Sequence, residues 1–293
     1  MMKGHAARWS PSEISAQARF DGSAVVAVVD WYRTVVSGPA ADLILASGNL
    51  PTVAVFSESN AQPPSNDARL AALSLFASRA LQPPFTWSEP LRFYLDASSL
   101  PVPWSLVRLA RDSVQKAAVS EAQAVSQGLV SGKVPIGKWQ SEMASITKMA
   151  HGSAACLTLG GWSSVDQMDW LRVSSGLEFQ LGYLDGFAQA LEKDTFPVDG
   201  HFWSRVSQYP RSLRKTWFSL TGLEMVKRGY DLEMNLLGGT ESCEECLEMS
   251  DLGWVRQGTL IDIGSRQCLN FCDCEIQYAS SFTGATWQDE LST

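Results

Sequence analysis

The sequence predicts a mainly α protein, a helical bundle with a small C-terminal cysteine-rich β module (α+β). Three observations lead there. Apolar residues recur at steps of three and four from Leu106 to Leu191, the spacing that gathers them on one face of a helix. Five of the six cysteines fall between Cys243 and Cys274, and the residues between the two cysteine groups form β-branched runs punctuated by glycine. The chain accordingly divides into residues 1–90, a region whose fold the sequence leaves open, 91–237, a helical body, 238–280, the cysteine-rich β module, and a tail, 281–293.

Composition bounds what these regions can do. At 293 residues with 45% hydrophobic and 18% charged side chains, the chain has the apolar content for a packed core, and wholesale disorder is excluded. A net charge of −8 supplies no general positive field for phosphate backbones, so any nucleic-acid contact is expected to be local and without sequence specificity. In the N-terminal region the longest uninterrupted apolar stretch, Ala24 to Val29, is closed by Asp30, far short of a membrane span of roughly 20 residues. The first residues, Met1 to Arg8, are not followed by a continuous apolar segment, so synthesis in the cytoplasm without a secretory signal is expected. Eleven tryptophans are many for this length, and because indoles favour cores and interfaces they suggest incorporation into a larger assembly.

Along the chain, Val25–Val29 and Thr52–Phe56 are short β-branched runs that fit either strands or buried helical turns. Two proline-rich breaks, Pro63-Pro64 and Pro83-Pro84, frame a short helix expected over Asp67 to Leu81. From Leu106, the set Val107, Ala110, Val114, Ala117, Ala118, Val125 and Leu129 describes a long amphipathic helix ending near Gly128 and Gly132. A second follows Pro135, with Trp139, Met143, Ile146, Met149 and Ala150 on one face, and stops at Gly160-Gly161. The Ser164-x-x-Gln167 spacing of a capping box opens a third, carrying Trp170, Val173, Leu177, Leu181, Leu184, Phe187 and Leu191. A fourth is expected from about Phe202 to Leu232, kinked or split by Pro210.

The cysteines stand as Cys243-x-x-Cys246 and then Cys268-x-x-x-Cys272-x-Cys274, separated by a gap of ordinary loop length. Two such knuckles are how four thiolates reach one tetrahedral Zn²⁺, so four of these five residues form a candidate structural zinc site. Disulfides and simply packed thiols are the alternatives, and a fifth cysteine fits no simple pairing. The acidic neighbours Glu241, Glu244, Glu245, Glu248 and Asp273 make the knuckles poor phosphate binders, which favours a structural staple over a nucleic-acid reader. Gly253 to Val255, Gly258 to Gly264 and the alternating Cys274 to Tyr278 suggest a hairpin or three-stranded sheet.

No catalytic constellation emerges. His5, His151 and His201 lie in no H-E-x-x-H or H-x-E setting, and phosphate-cradling glycine loops and a G-x-S-x-G elbow are absent from the sequence. His151 reads as a satisfied or solvent-facing side chain, and Cys156, with apolar neighbours, as a buried one.

The order of motifs from 92 to 278 resembles a group of tailed-bacteriophage minor head proteins, the Mu F-like head-morphogenesis group. The resemblance is carried by Arg92-Phe93-Tyr94-Leu95-Asp96-Ala97, Lys138 to Met143, Lys148 to His151, Leu159-Gly160-Gly161-Trp162 and Gln180 to Ala188. It continues through Glu241 to Cys246, Gly258-Thr259-Leu260, Ile263-Gly264, Cys268 to Cys274 and Tyr278. The resemblance implies a non-catalytic virion component, present in few copies and associated with portal or capsid proteins near the portal or inner capsid, sometimes needed for DNA packaging. A zinc-binding adaptor or regulatory protein acting on a host partner is the alternative, and an enzyme built from scattered carboxylates is a weaker third.

Overall fold

The structure is a computed structural model and describes residues 86–96, 98–161, 164–238 and 242–287. The runs at 25–29 and 52–56 and the helix expected over 67–81 lie outside the described residues. The architecture is α+β: a helical bundle with a small strand module in the cysteine-rich C-terminal region.

The chain enters through a two-stranded antiparallel hairpin, β1 (Thr86–Ser88) and β2 (Phe93–Leu95), with Trp87 opposite Tyr94. Five helices follow, α1 (Trp104–Val130), α2 (Ile136–Leu159), α3 (Gln167–Glu192), α4 (Gly200–Arg211) and α5 (Leu213–Lys227). The centre is α2, which packs against the other four. Prolines precede α1 and α2 at Pro103 and Pro135, where a missing N–H costs nothing. Gly160 ends α2 in the left-handed region at φ 88°, and the ring of Trp87 occupies the place where a Cβ would stand, so both conformation and contact require glycine.

The helix α3 has its capping box two residues later than expected. Asp166 is the cap, accepting the Asp169 N–H at 2.8 Å, while the Asp169 carboxylate accepts the Asp166 N–H. The Ser164 hydroxyl is otherwise engaged, donating to Glu89 at 2.6 Å.

The expected fourth helix is two. Pro210, in the last turn of α4, has no N–H to continue the ladder, and the chain re-enters helix after Ser212 as α5. Nor does the helix run to Leu232: it stops at Lys227, Gly229 turns the chain at φ 87°, and Leu232–Leu236 becomes a strand, β3. That strand is the centre of the C-terminal sheet, between β4 (Val255–Arg256) and β5 (Glu275–Ala279), antiparallel to both. The module thus draws its central strand from before residue 238. Between β3 and β4 lies a two-turn helix, α6 (Glu244–Asp251), and a 3₁₀ turn covers Leu269–Phe271. The glycine-punctuated run 258–264 forms turns and irregular chain rather than a strand.

One apolar cluster spans both regions. Trp139, Met143, Phe202, Leu213 and Trp217 of the bundle join Cys246, Ile263, Cys272 and Cys274 of the module in a single core. Aromatic packing knits the bundle side, with Trp139 edge-on to Phe187 and Trp104 stacked on Trp217. The expected tail is anchored as far as it is described: Thr286 bridges Ala279, and Trp287 is buried edge-on against Trp104. Residues 288–293 lie outside the described residues.

Candidate metal centre

The C-x-x-C segment lies at the start of α6. Cys243 is the N-cap residue in extended conformation, its carbonyl accepting the N–H of Cys246 at 3.0 Å and of Leu247 at 3.1 Å. That turn brings the two sulfurs to the same side. The second group wraps the 3₁₀ turn: Cys268 precedes it, Cys272 follows it, and Leu269 takes a positive φ of 49° to make the bend. Cys274 leads directly into β5.

All five cysteines singled out in the sequence meet. The sulfurs of Cys243, Cys246 and Cys268 lie within 4.8 Å of one another, as do those of Cys246, Cys272 and Cys274, so Cys246 belongs to both triangles. Cys246 Sγ is 3.5 Å from Cys272 Sγ and 3.6 Å from Cys268 Sγ. A disulfide would need about 2.05 Å, whereas thiolates arranged tetrahedrally around a metal at about 2.3 Å are about 3.8 Å apart. The cluster could hold a metal ion. Its donors are soft sulfur, which suits a thiophilic cation and not an oxygen-seeking one. Cys246, Cys272 and Cys274 are buried, and Cys243 and Cys268 form the half-buried outer side.

The thiols differ in electrostatic setting. A hydrogen bond from Cys272 holds the Cys274 thiol down to about 5, helped by the Gly238 N–H and Asn235. The same contact pushes Cys272 up, and burial pushes Cys246 up to about 12. Burial also raises Cys268, while at Cys243 hydrogen bonds from the N–H groups and thiols of Cys246 and Cys268 outweigh burial and lower it.

The surrounding groups were not apparent from sequence. Asn235, on the buried face of β3, donates to the Cys246 carbonyl at 3.0 Å. It accepts from Arg266 Nη1 at 2.7 Å, and the same nitrogen lies 3.6 Å from Cys246 Sγ. Glu233, also inward on β3, accepts the N–H groups of Thr259 and Leu260 at 3.0 and 2.9 Å, and Glu245 accepts the Gln267 N–H. These polar contacts fold the loop between β4 and β5 over the thiols. A polar inward face on a strand is opposite to the usual pattern, and no local signal in the sequence marks it. Glu244, Glu248 and Asp273 are exposed at the surface, and Glu241 lies outside the described residues.

Elsewhere, His151 is buried between Thr216 Oγ1 at 2.7 Å and Ser212 Oγ at 2.6 Å, and burial, with Lys215 nearby, lowers its pKa to about 3. It is a neutral histidine satisfied within the core. Cys156 stands apart on α2, and burial pushes its thiol up to about 12. Among the described residues, no helix is long and apolar enough to cross a membrane. No protein-family model matches the chain, and no curated protein or solved structure matches it either.

Proposed function

We propose that this chain is a non-catalytic structural component of a tailed-phage head, a minor capsid or head-morphogenesis protein acting through protein–protein contacts near the portal or inner capsid. One structural zinc staples its C-terminal module. The observation that carries the staple is the meeting of five thiols at tetrahedral-edge spacing within the shared core. A metal there closes α6, the 3₁₀ turn and β5 onto one point, which a module with such short strands needs.

The assembly role rests on the ordered motifs. Many residues that carry the resemblance build the interior: Tyr94, Trp139, Met149, His151, Leu184 and Tyr278 are all buried. Framework positions of this kind are those a group of assembly proteins would share while their surfaces diverge. For contacts, α3 exposes Phe179 (66%) and Tyr183 (59%) one turn apart, beside the exposed Gly182 and Gly186, an unusual amount of aromatic surface for one helix face. The second reading, an adaptor for a basic host partner, is favoured by the exposed carboxylates Glu244, Glu248, Asp251 and Asp273 around the module.

Metal content measured together with free-thiol titration under non-reducing conditions tests the staple. The expected result is about one zinc per chain, with thiols that react only after a chelator is added. Cys243→Ser with Cys246→Ser should abolish zinc binding and loosen the module while most helical circular dichroism persists. Absence of zinc with few reactive thiols would mean disulfides instead. Co-expression with portal and capsid proteins tests the assembly role: co-sedimentation with particles supports it, and a monomer that captures a basic host protein supports the adaptor.

A further inference from the structure

Three arginines are almost wholly withdrawn from solvent, and they are not treated alike. Arg111, 1% exposed, pairs bidentately with Glu275 at 2.7 and 3.1 Å and also with Asp112; Arg214 pairs with the same two carboxylates. Arg266, also 1% exposed, takes part in no ion pair among the described residues. Its Nε donates to the Ile261 carbonyl at 2.8 Å and its Nη1 to Asn235 Oδ1 at 2.7 Å, both uncharged acceptors. Its Nη2 has no hydrogen-bond partner among the described residues. A group able to carry negative charge, the sulfur of Cys246, lies 3.6 Å from Nη1.

A buried guanidinium without an anion is strongly unfavourable, and Arg stays protonated in any environment a protein offers. Four thiolates around a divalent cation carry two surplus negative charges, and burying those is unfavourable for the same reason. The guanidinium offsets one of those two charges, and the centre in turn supplies the anion the guanidinium lacks. We propose that Arg266 is a built-in counter-charge of the metal–thiolate centre, held against Cys246 by Asn235 and Ile261. This rests on the zinc reading given above. Arg266 is a positioning and charge-balancing residue, and it touches the metal only through Cys246. Asn235 serves both partners, fixing the guanidinium with its oxygen and the Cys246 backbone with its nitrogen.

The test compares the full chain with Arg266→Met and Arg266→Lys, titrating zinc against a chromophoric chelator and recording thermal midpoints with and without zinc. Arg266→Met should weaken zinc binding by about 10–100-fold, the usual effect of losing a group that supports a metal ligand. Its midpoint should fall below wild type with zinc present, where the centre loses its offset, and equal or exceed wild type without zinc, where the wild-type guanidinium lacks a counter-charge. Arg266→Lys keeps the charge but not the fork that spans three acceptors, and its affinity should lie between the two. That variant decides the matter if Arg266→Met does not fold: zinc binding equal to wild type together with equal destabilisation in both states would overturn the proposal. So would an Arg266→Met protein that binds zinc like wild type, which would leave the zinc reading standing. A wild-type chain that takes up no zinc would overturn both.

Discussion

From Trp104 to Lys227 the buried faces are mostly apolar, and the largest fully buried side chains there include Trp139, Trp217, Phe202 and Met143. From Leu232 to Ala279 the central strand turns Glu233 and Asn235 inward, and they share the interior with Arg266, the thiols and a few apolar side chains, Leu260, Ile263 and Tyr278. The bundle is stabilised by area removed from water, a non-directional effect that tolerates exchange of one hydrophobe for another. The module depends on directional contacts, each needing its own partner. Small elements explain the difference: strands of two to five residues and an eight-residue helix cannot enclose much apolar surface of their own. The module therefore leans on the bundle, and the seam is explicit. Glu275 at the start of β5 lies between Arg111 of α1 and Arg214 of α5, and Arg214 also donates to the Cys274 carbonyl at 2.6 Å.

The sharpest way to break this comparison is at the shared core. Trp217→Ala should cost about 3–5 kcal/mol, as for a large aromatic deleted from a packed interior. Because Trp217 belongs to the same cluster as Cys246 and Cys272, helical circular dichroism and protection of the module should be lost in one transition. A module that stays protected after the helices melt would show two independent units. The next effect is at the seam. Glu275→Gln leaves Arg111 and Arg214 with Asp112 alone, whose side chain is 41% exposed, and should cost about 3 kcal/mol in denaturant unfolding. Hydrogen exchange should then rise in β5 and α1 together; a rise confined to β5 would place the coupling elsewhere.

The smallest expected effect is a pH dependence belonging to the bundle alone. Burial holds His151 neutral, with its pKa lowered to about 3 from 6.5, so the unfolded chain takes up that proton first. Stability contributed by the neutral imidazole is complete above pH 6.5 and declines as pH falls toward 3, by about 1.4 kcal/mol per unit. The loss reaches about 2 kcal/mol at pH 5. Glu224 and Glu275, lowered against the opposing effect of burial by hydrogen bonds from Arg92 and Arg111, lose their contributions as pH falls through the ordinary carboxylate range, but Cys274, held down to about 5, gives a slope of the same sign from 6.5 to 5, so the histidine's share is read by difference. Replacing His151 by Gln should lower the slope in that interval by about 1.4 kcal/mol per unit, and an unchanged slope would show that the histidine does not contribute.

Much of the bundle was legible because its signals are local. Val107, Ala110, Val114 and Ala118, or Trp139, Met143, Ile146 and Met149, state their own periodicity, and the prolines and glycines at 135 and 160 mark ends by backbone geometry alone. Misreadings occurred where two local solutions competed. Ser164 and Asp166 could each cap α3, and the choice fell to Asp166 because Glu89, 75 residues away, engages the Ser164 hydroxyl. The fourth helix was expected to run on to Leu232, yet Leu232 opens a strand because its partners on β4 and β5 draw it into the sheet.

By itself the sequence determined the helical architecture, the gathering of the cysteines into one module, and the residue types able to ligate a soft metal there. These follow from residue spacing, which acts through bonds of fixed geometry. Only the tertiary structure decided which strand the module is built on, that its interior is continuous with the bundle's, and that a carboxylate-free buried arginine faces the thiols. Asn235 and Arg266 stand 31 residues apart in the chain, and nothing in either neighbourhood specifies their contact. Such pairings are selected by burial and charge compensation, which exist only once the chain has closed around them.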